Sequence, residues 1–238
     1  MGQYFNLIKQ QLVKIHGILL CMPIKPTCIF LYLLSILLIM GCNKYRLGFL
    51  HEKDKLIAIQ PLGDFDSLQA ALLGKEIAAF YHKEVMVLSP VKIPPTCMTI
   101  PSYGLYAADS ILKFLSSTID NRIIEVVGLT HVDIYTAEEQ AVKEENQPAP
   151  IKIILGLSQI PGNVCVVSDY GLRDPDSQKL QRRIKTVMLH EMGHNLGLTH
   201  CEAPTCIMSD DNGKREILDR SKNYYCDKCK RKMKQKAM

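Results

Sequence analysis

The sequence predicts an α/β (α+β) domain built on a mixed, mostly parallel five-stranded sheet with an antiparallel edge strand and a buried central helix. Three observations carry this. Short β-branched runs alternate with amphipathic stretches between residues 56 and 168, the pattern of parallel strands joined by crossovers. The last two runs are separated by a short turn, Pro161-Gly162-Asn163, which makes an antiparallel edge. Asp174 to Leu196 reads as one long helix with apolar residues on more than one side, as expected of a helix in the middle of a domain.

Taken in order, Leu56 to Gly63 reads as a first strand ended by a turn, and Asp64-Phe65-Asp66-Ser67 offers caps for a helix from Leu68 to about Tyr81. Glu84 to Leu88 is a second strand. Ser89 to Thr99 is Pro-rich and reads as irregular, with Cys97 a bystander thiol. Tyr106 to about Ile119 carries a helical apolar stripe at Ile111, Phe114 and Leu115. Ile123 to Gly128 is a third strand, with His131 and Asp133 just beyond it. These two read better as loop and capping groups than as a second metal site. Ala137 to Pro150 is charged and reads as a surface loop. Lys152 to Leu157 and Val164 to Ser168 are the fourth and fifth strands. Asp174-Pro175 is the expected N-cap and first residue of the long helix.

The 238 residues, 47% hydrophobic and 22% charged, suit one globular domain. The formal charge of +5 is modest, and no nucleic-acid motif accompanies it. Six basic residues lie between Lys228 and Lys236, read as a solvated, frayed tail. Near the other end, Lys25 precedes an apolar run from Cys28 to Met40 that is short for a membrane span of about 20 residues and fits a signal-peptide core. Ile39-Met40-Gly41-Cys42 resembles a bacterial lipobox, in which the cysteine is lipidated. The expected organisation is therefore a lipoprotein signal at 1–41 (Met22 being an alternative start), a tether at 42–55, the folded domain at 56–230 and a basic tail at 231–238. This places a monomer outside the cytoplasm, at the periplasmic membrane face, anchored through Cys42. An uncleaved signal anchor is the alternative.

The most informative stretch is His190 to His200, of the form H-E-x-x-H-x-x-G-x-x-H. Residues four apart share a helix face, so His190 and His194 can offer two imidazoles to one ion. Gly197 can adopt a left-handed conformation, end the helix and return His200 as a third ligand. Three histidines with one open position make a catalytic zinc site, and Glu191 is placed to act as general base. Downstream, Cys201, Cys206, Cys226 and Cys229 have the number and, in C-x-x-C, the spacing of a structural four-thiolate zinc site. Two disulfides are the alternative that an extracytoplasmic location permits.

From His190 to Cys229 the chain matches H-E-x-x-H-x-x-G-x-x-H-C-x4-C-x-M-x17-C-x-x-C at every fixed position. It resembles the archaemetzincins, a branch of the metzincin zinc peptidases, with looser similarity through Val127–Tyr135 and Gly156–Leu172. The resemblance implies a metzincin-like fold with a small zinc-stapled C-terminal subdomain and two Zn2+ ions per chain, one catalytic and one structural. It makes Met208 the Met-turn residue beneath the catalytic zinc. It also implies that a peptide or protein substrate lies along the edge strand, whose unpaired N–H and C=O groups can accept an extra strand. The implied activity is zinc-dependent peptide hydrolysis, amino- or endopeptidase, by a zinc-activated water with Glu191 as base. The competing readings are a membrane-tethered zinc protein that binds peptides without cutting them, and a thiol redox protein on Cys226 and Cys229. Tyr135 and Tyr170 are the candidates for a second electrophile.

Overall fold

The computed structural model describes residues 55–137, 151–210 and 215–236. The expected signal segment, Cys42 and nearly all of the expected tether lie outside the described residues, as do residues 138–150, where a surface loop is expected. Among the described residues no helix is long and apolar enough to cross a membrane.

The chain builds β1 (Leu56–Pro61), α1 (Ser67–Tyr81), β2 (Val85–Val87), β3 (Met98–Ile100), β4 (Leu105–Ala107), α2 (Ala108–Ser116), β5 (Ile123–Thr130), β6 (Ile134–Ala137), β7 (Ile151–Ile154), β8 (Gly156–Ser158), β9 (Val164–Ser168), α3 (Ser177–Asn195), α4 (Arg215–Arg220) and α5 (Asp227–Lys236). The main sheet has the order β2-β1-β5-β9-β8. Its first four strands are parallel, and β8 runs antiparallel to β9 at the edge, with Leu157 opposite Val166. This is the mixed five-stranded sheet that the strand–helix alternation predicts.

Strand alternation sorts the core into two layers. Ile57, Ile59, Val127, Leu129, Cys165 and Val167 face one cluster with α1, α3 and the C-terminal segment. Ala58, Val126, Val164 and Val166 face the other, with Ile111, Leu112 and Leu115 of α2. The sheet is thus covered on both faces, as a largely parallel sheet requires.

Four local features differ from the sequence reading. The run expected as one strand, Lys152 to Leu157, bends at Leu155: β7 belongs to a second sheet, β3-β4-β6-β7, and only β8 joins the first. That sheet also absorbs Met98 to Ile100, at the end of the stretch read as irregular. The N-cap of α3 is Asp176, whose carboxylate accepts from the N–H groups of Gln178 (2.9 Å) and Lys179 (3.3 Å). Asp174 is engaged elsewhere, accepting from the Asp176 N–H and pairing with Lys179 and Arg183. The basic run expected to fray carries α5 through Lys236, with Cys229 buried on its first turns.

Arg183 joins α3 to α4. Its guanidinium is 6% exposed and donates Nε and Nη2 to the two carboxylate oxygens of Asp219, both at 2.7 Å, while Nη1 pairs with Asp174 at 3.1 Å and reaches the Leu172 carbonyl at 3.2 Å. A planar fork matched to a carboxylate is the strong form of this bond. Both carboxyls are held below their usual range, Asp219 chiefly by the bond from Arg183 and Asp174 chiefly by the Asp176 N–H. Arg183→Ala removes the fork from Asp219 and the donor from the Leu172 carbonyl, and leaves both partly exposed carboxylates to Lys179 as their cation. It is expected to cost about 2 kcal/mol and to lower Tm by roughly 4–8 °C in a thermal melt. An unchanged melt would remove this pairing from the account of the fold.

Candidate metal centre

The helix α3 ends in a turn that builds half of the site. The Gly197 N–H donates to the His194 carbonyl (2.7 Å) and the Leu198 N–H to the Gly193 carbonyl (2.9 Å), the paired bonds of a Schellman cap. Gly197 sits at φ +81°, where a side chain would be strained. Leu198 is fully buried, and its carbonyl accepts from His194 Nδ1 at 2.8 Å. The turn that reverses the chain therefore also orients the second histidine.

The other half comes from the loop after His200. The Cys201 N–H donates to the Met208 carbonyl at 2.7 Å, folding the loop back beneath the helix, and the Ile207 carbonyl accepts from His190 Nδ1 at 2.8 Å. Met208 is fully buried, with its sulfur against Gly193 between the two helical histidines.

These bonds fix the protons. A carbonyl only accepts, so His190 and His194 both carry hydrogen on Nδ1, and their Nε2 lone pairs point at each other across 3.0 Å. Burial, followed by the nearness of His190, holds the His194 imidazole below its usual pKa. Two facing lone pairs repel unless a cation lies between them. Nitrogens bound tetrahedrally to zinc stand about 3.3 Å apart, close to this spacing. His200 completes the group: one nitrogen from each of the three lies within 4.8 Å of the others. Its side chain is half exposed, and Nδ1 stands 3.7 Å from an Asp210 carboxylate oxygen. The donor set fits a zinc ion with an open position.

The four cysteines form a second group, with all sulfurs within 4.8 Å of one another. Cys201 and Cys226 sulfurs are 3.7 Å apart, and those of Cys206 and Cys229 are 3.9 Å apart. A disulfide needs about 2 Å; thiolates on a tetrahedral zinc stand about 3.8 Å apart, so the donors fit zinc. The Cys226 N–H donates to Cys206 Sγ at 3.3 Å. Bonding from the Cys229 backbone brings the Cys226 thiol down to about 7, while burial pushes Cys206 and Cys229 up. Tyr225, next to this group, is buried and donates to the Leu189 carbonyl at 2.7 Å, with the Tyr81 hydroxyl 2.6 Å away. The C-terminal segment is thereby tied to α3 and α1.

A cleft of about 590 Å³ opens over the histidines. Its far wall is the bent chain of β7 and β8, including Lys152, Ile153 and Leu157, and its floor includes Val187 and Glu191. Glu191 is buried, and its Oε2 accepts from Ser158 Oγ at 2.6 Å. Tyr135 and Tyr170 are not among the cleft-lining residues: Tyr135 bonds Thr99, and Tyr170 lies under Arg173. His131 Nδ1 bonds Asp169 Oδ2 at 2.8 Å and stacks on Phe65.

Two groups near the site escape the sequence reading. Ser158 gave no signal beyond its place at the end of an edge strand. Glu125 gave one, a carboxylate amid the apolar run Ile123–Val127. It is buried and accepts from Asn195 Nδ2 at 3.0 Å, tying β5 to the residue after His194.

The profile of Peptidase family M54 matches residues 97–235. The archaemetzincin of Methanocaldococcus jannaschii is 30% identical, over 76% of this chain and 94% of that protein. The crystal structure of archaemetzincin from Archaeoglobus fulgidus, complexed with malonate, superposes with a TM-score of 0.60 at 28% identity, covering 74% of this chain and 98% of that one. A zinc-dependent peptidase from Methanocorpusculum labreanum shares the fold, with a TM-score of 0.60 at 22% identity, over 74% of this chain and 99% of the other.

Glu125 generates a pH prediction. Burial raises its carboxyl to about 7, partly offset by the Asn195 bond. Between the ordinary carboxylate range and about 7 the folded chain holds a proton that the unfolded chain has released, so this group's stabilisation is present at low pH and is lost as pH rises through about 7. Glu125→Gln removes the dependence. Its Tm relative to the unaltered protein should rise between pH 5 and pH 8; a difference flat across that range would contradict the assignment.

Proposed function

Because the chain belongs to Peptidase family M54, the archaemetzincins, and is a zinc metallopeptidase, we propose that it hydrolyses peptide bonds with Glu191 as general base and with zinc held by His190, His194 and His200. The observation that carries the reading is the convergence of the two Nε2 lone pairs and His200 on one point of an open cleft, with the Glu191 carboxylate in the cleft floor. A bound zinc ion would supply a Lewis acid that polarises the scissile carbonyl and acidifies the attacking water.

The chain's own residues do the remainder. Glu191 takes a proton from the attacking water onto its carboxylate and returns it to the leaving amine nitrogen. The backbone carbonyls of Ile207 and Leu198 keep His190 and His194 in the tautomer that presents Nε2. β8 lies at the edge of the sheet and lines the cleft, so an extended substrate can pair with its main chain. Cys201, Cys206, Cys226 and Cys229 would hold a second, structural zinc, which would pin the loop carrying Met208 and Ile207.

The test compares the full chain with Glu191→Gln and Cys229→Ser on a diverse peptide library, with zinc measured by mass spectrometry. The unaltered protein should cut and carry two zinc ions. Glu191→Gln should carry two and lose on the order of 10²–10⁴-fold in kcat. Cys229→Ser should carry one and melt lower. Zinc without any cleavage would instead make the protein a peptide binder that keeps the motif.

We also propose that Ile39-Met40-Gly41-Cys42 marks a lipoprotein whose enzyme domain acts outside the cytoplasm. Intact-mass measurement of the protein from its native membrane should give a chain beginning at a diacylated Cys42, and a mature protein that retains residues 1–41 would refute the anchor.

A further inference from the structure

The edge strand does more than face the cleft: two of its three residues bear on the Glu191 carboxylate. Successive strand residues point to opposite faces. Leu157 packs into the core layer shared with α2. Gly156 and Ser158, two apart, share the other face, toward α3. Ser158 Oγ donates to Glu191 Oε2 at 2.6 Å. At Gly156 the bare backbone lies directly on the same side chain: a Cβ there would stand 2.8 Å from both Cγ and Oε1 of Glu191 and 3.0 Å from Cδ. Cβ atoms essentially never come within 3.0 Å, and here the whole carboxylate would have to shift. The strand thus meets the carboxylate at both oxygens, with the Ser158 hydroxyl on Oε2 and the bare Gly156 backbone against Oε1.

We propose that Ser158 and Gly156 are positioning residues for Glu191. Ser158 anchors Oε2, and Gly156 makes the room that the Glu191 side chain occupies, so that the carboxylate is held in one orientation at the floor of the cleft. The inference rests on Glu191 being the base. Three considerations support a role beyond packing. A hydroxyl bound to a carboxylate is a charge-assisted bond, short and strong enough to select one rotamer. Glu191 stands on the rigid floor of the site, so fixing its last torsion completes the orientation of the group. The strand that grips the base is also the strand available to an extended substrate, so the base and a substrate backbone would be aligned by one element.

The test uses the full chain and the variants Ser158→Ala, Ser158→Thr, Gly156→Ala and Glu191→Ala. With zinc loaded, Ser158→Ala should lower kcat on the order of 10-fold while KM and zinc content stay unchanged, since a misplaced catalytic group costs rate rather than binding. Ser158→Thr, which keeps the hydroxyl, should recover most of that loss. Gly156→Ala should lower kcat with Ser158 intact. A melt of metal-stripped protein gives a readout independent of turnover. Ser158→Ala should lower Tm by about 3–6 °C when Glu191 is present and by less than about 1 °C in the Glu191→Ala background. Additive Tm effects, an unchanged kcat for Ser158→Ala, or a Thr variant no better than Ala would each overturn the proposal. If the unaltered protein binds zinc but cuts nothing while the Tm coupling holds, the peptidase reading fails and the positioning contact stands.

Discussion

Everything at the metal centre depends on where two protons sit. His190 and His194 give their Nδ1 hydrogens to backbone carbonyls, of Ile207 and Leu198, and this commits both Nε2 lone pairs to the same point. A side-chain acceptor could rotate away or titrate. A peptide carbonyl does neither, provided that the backbone carrying it is held. The problem of placing a metal therefore becomes one of holding two short pieces of chain. One is held by hydrogen bonds within the helix end, where the Schellman turn at Gly197 fixes Leu198. The other, Cys201 to Met208, lies outside any helix or sheet and needs external support.

That need explains the second cluster. The segment from Cys201 to Cys229 has a small apolar contribution of its own, chiefly Cys206, Ile207, Met208, Leu218 and Tyr225. A segment this short gains little from burial alone. The four sulfurs gather it at one point, the Tyr225 hydroxyl fastens it to the Leu189 carbonyl, and Arg183 fastens it again through Asp219. The last two attachments end on α3. The sulfur cluster thus helps to keep the Ile207 carbonyl in line with His190, and the two candidate metal sites are mechanically linked.

The sequence made this arrangement legible to an uneven degree. Spacing alone brought together His190, His194, His200 and the four cysteines, because helix period and C-x-x-C geometry are local rules. It also showed the parallel sheet and the antiparallel edge, since β-branched runs and a turn too short for a crossover are local as well. The rest depended on contacts between distant segments. Nothing near Lys152 to Leu157 announces that the chain changes sheets at Leu155, because each half is a good strand and the bend is imposed by two different neighbours. The choice of Asp176 over Asp174 as cap turned on Lys179 and Arg183 competing for Asp174. Ser158 meeting Glu191 spans 33 residues, and Asn195 meeting Glu125 spans 70. No periodicity encodes such pairs.

The division between legible and illegible parts follows the division of labour in the site. Ligand identity is a matter of residue type at fixed spacing on one element, and one element is what a sequence pattern describes. Orientation is set where elements meet: Ile207 against His190, β8 against Glu191, β5 against Asn195. Helix α3 supplies groups to every one of these meetings and is buried on nearly all sides from Arg183 to Asn195. A helix enclosed in this way cannot rotate to relieve a poor contact at one face without spoiling another. Its immobility is what lets a three-residue edge strand, β8, orient the Glu191 carboxylate: a short strand can aim a side chain only when the side chain's own backbone does not yield.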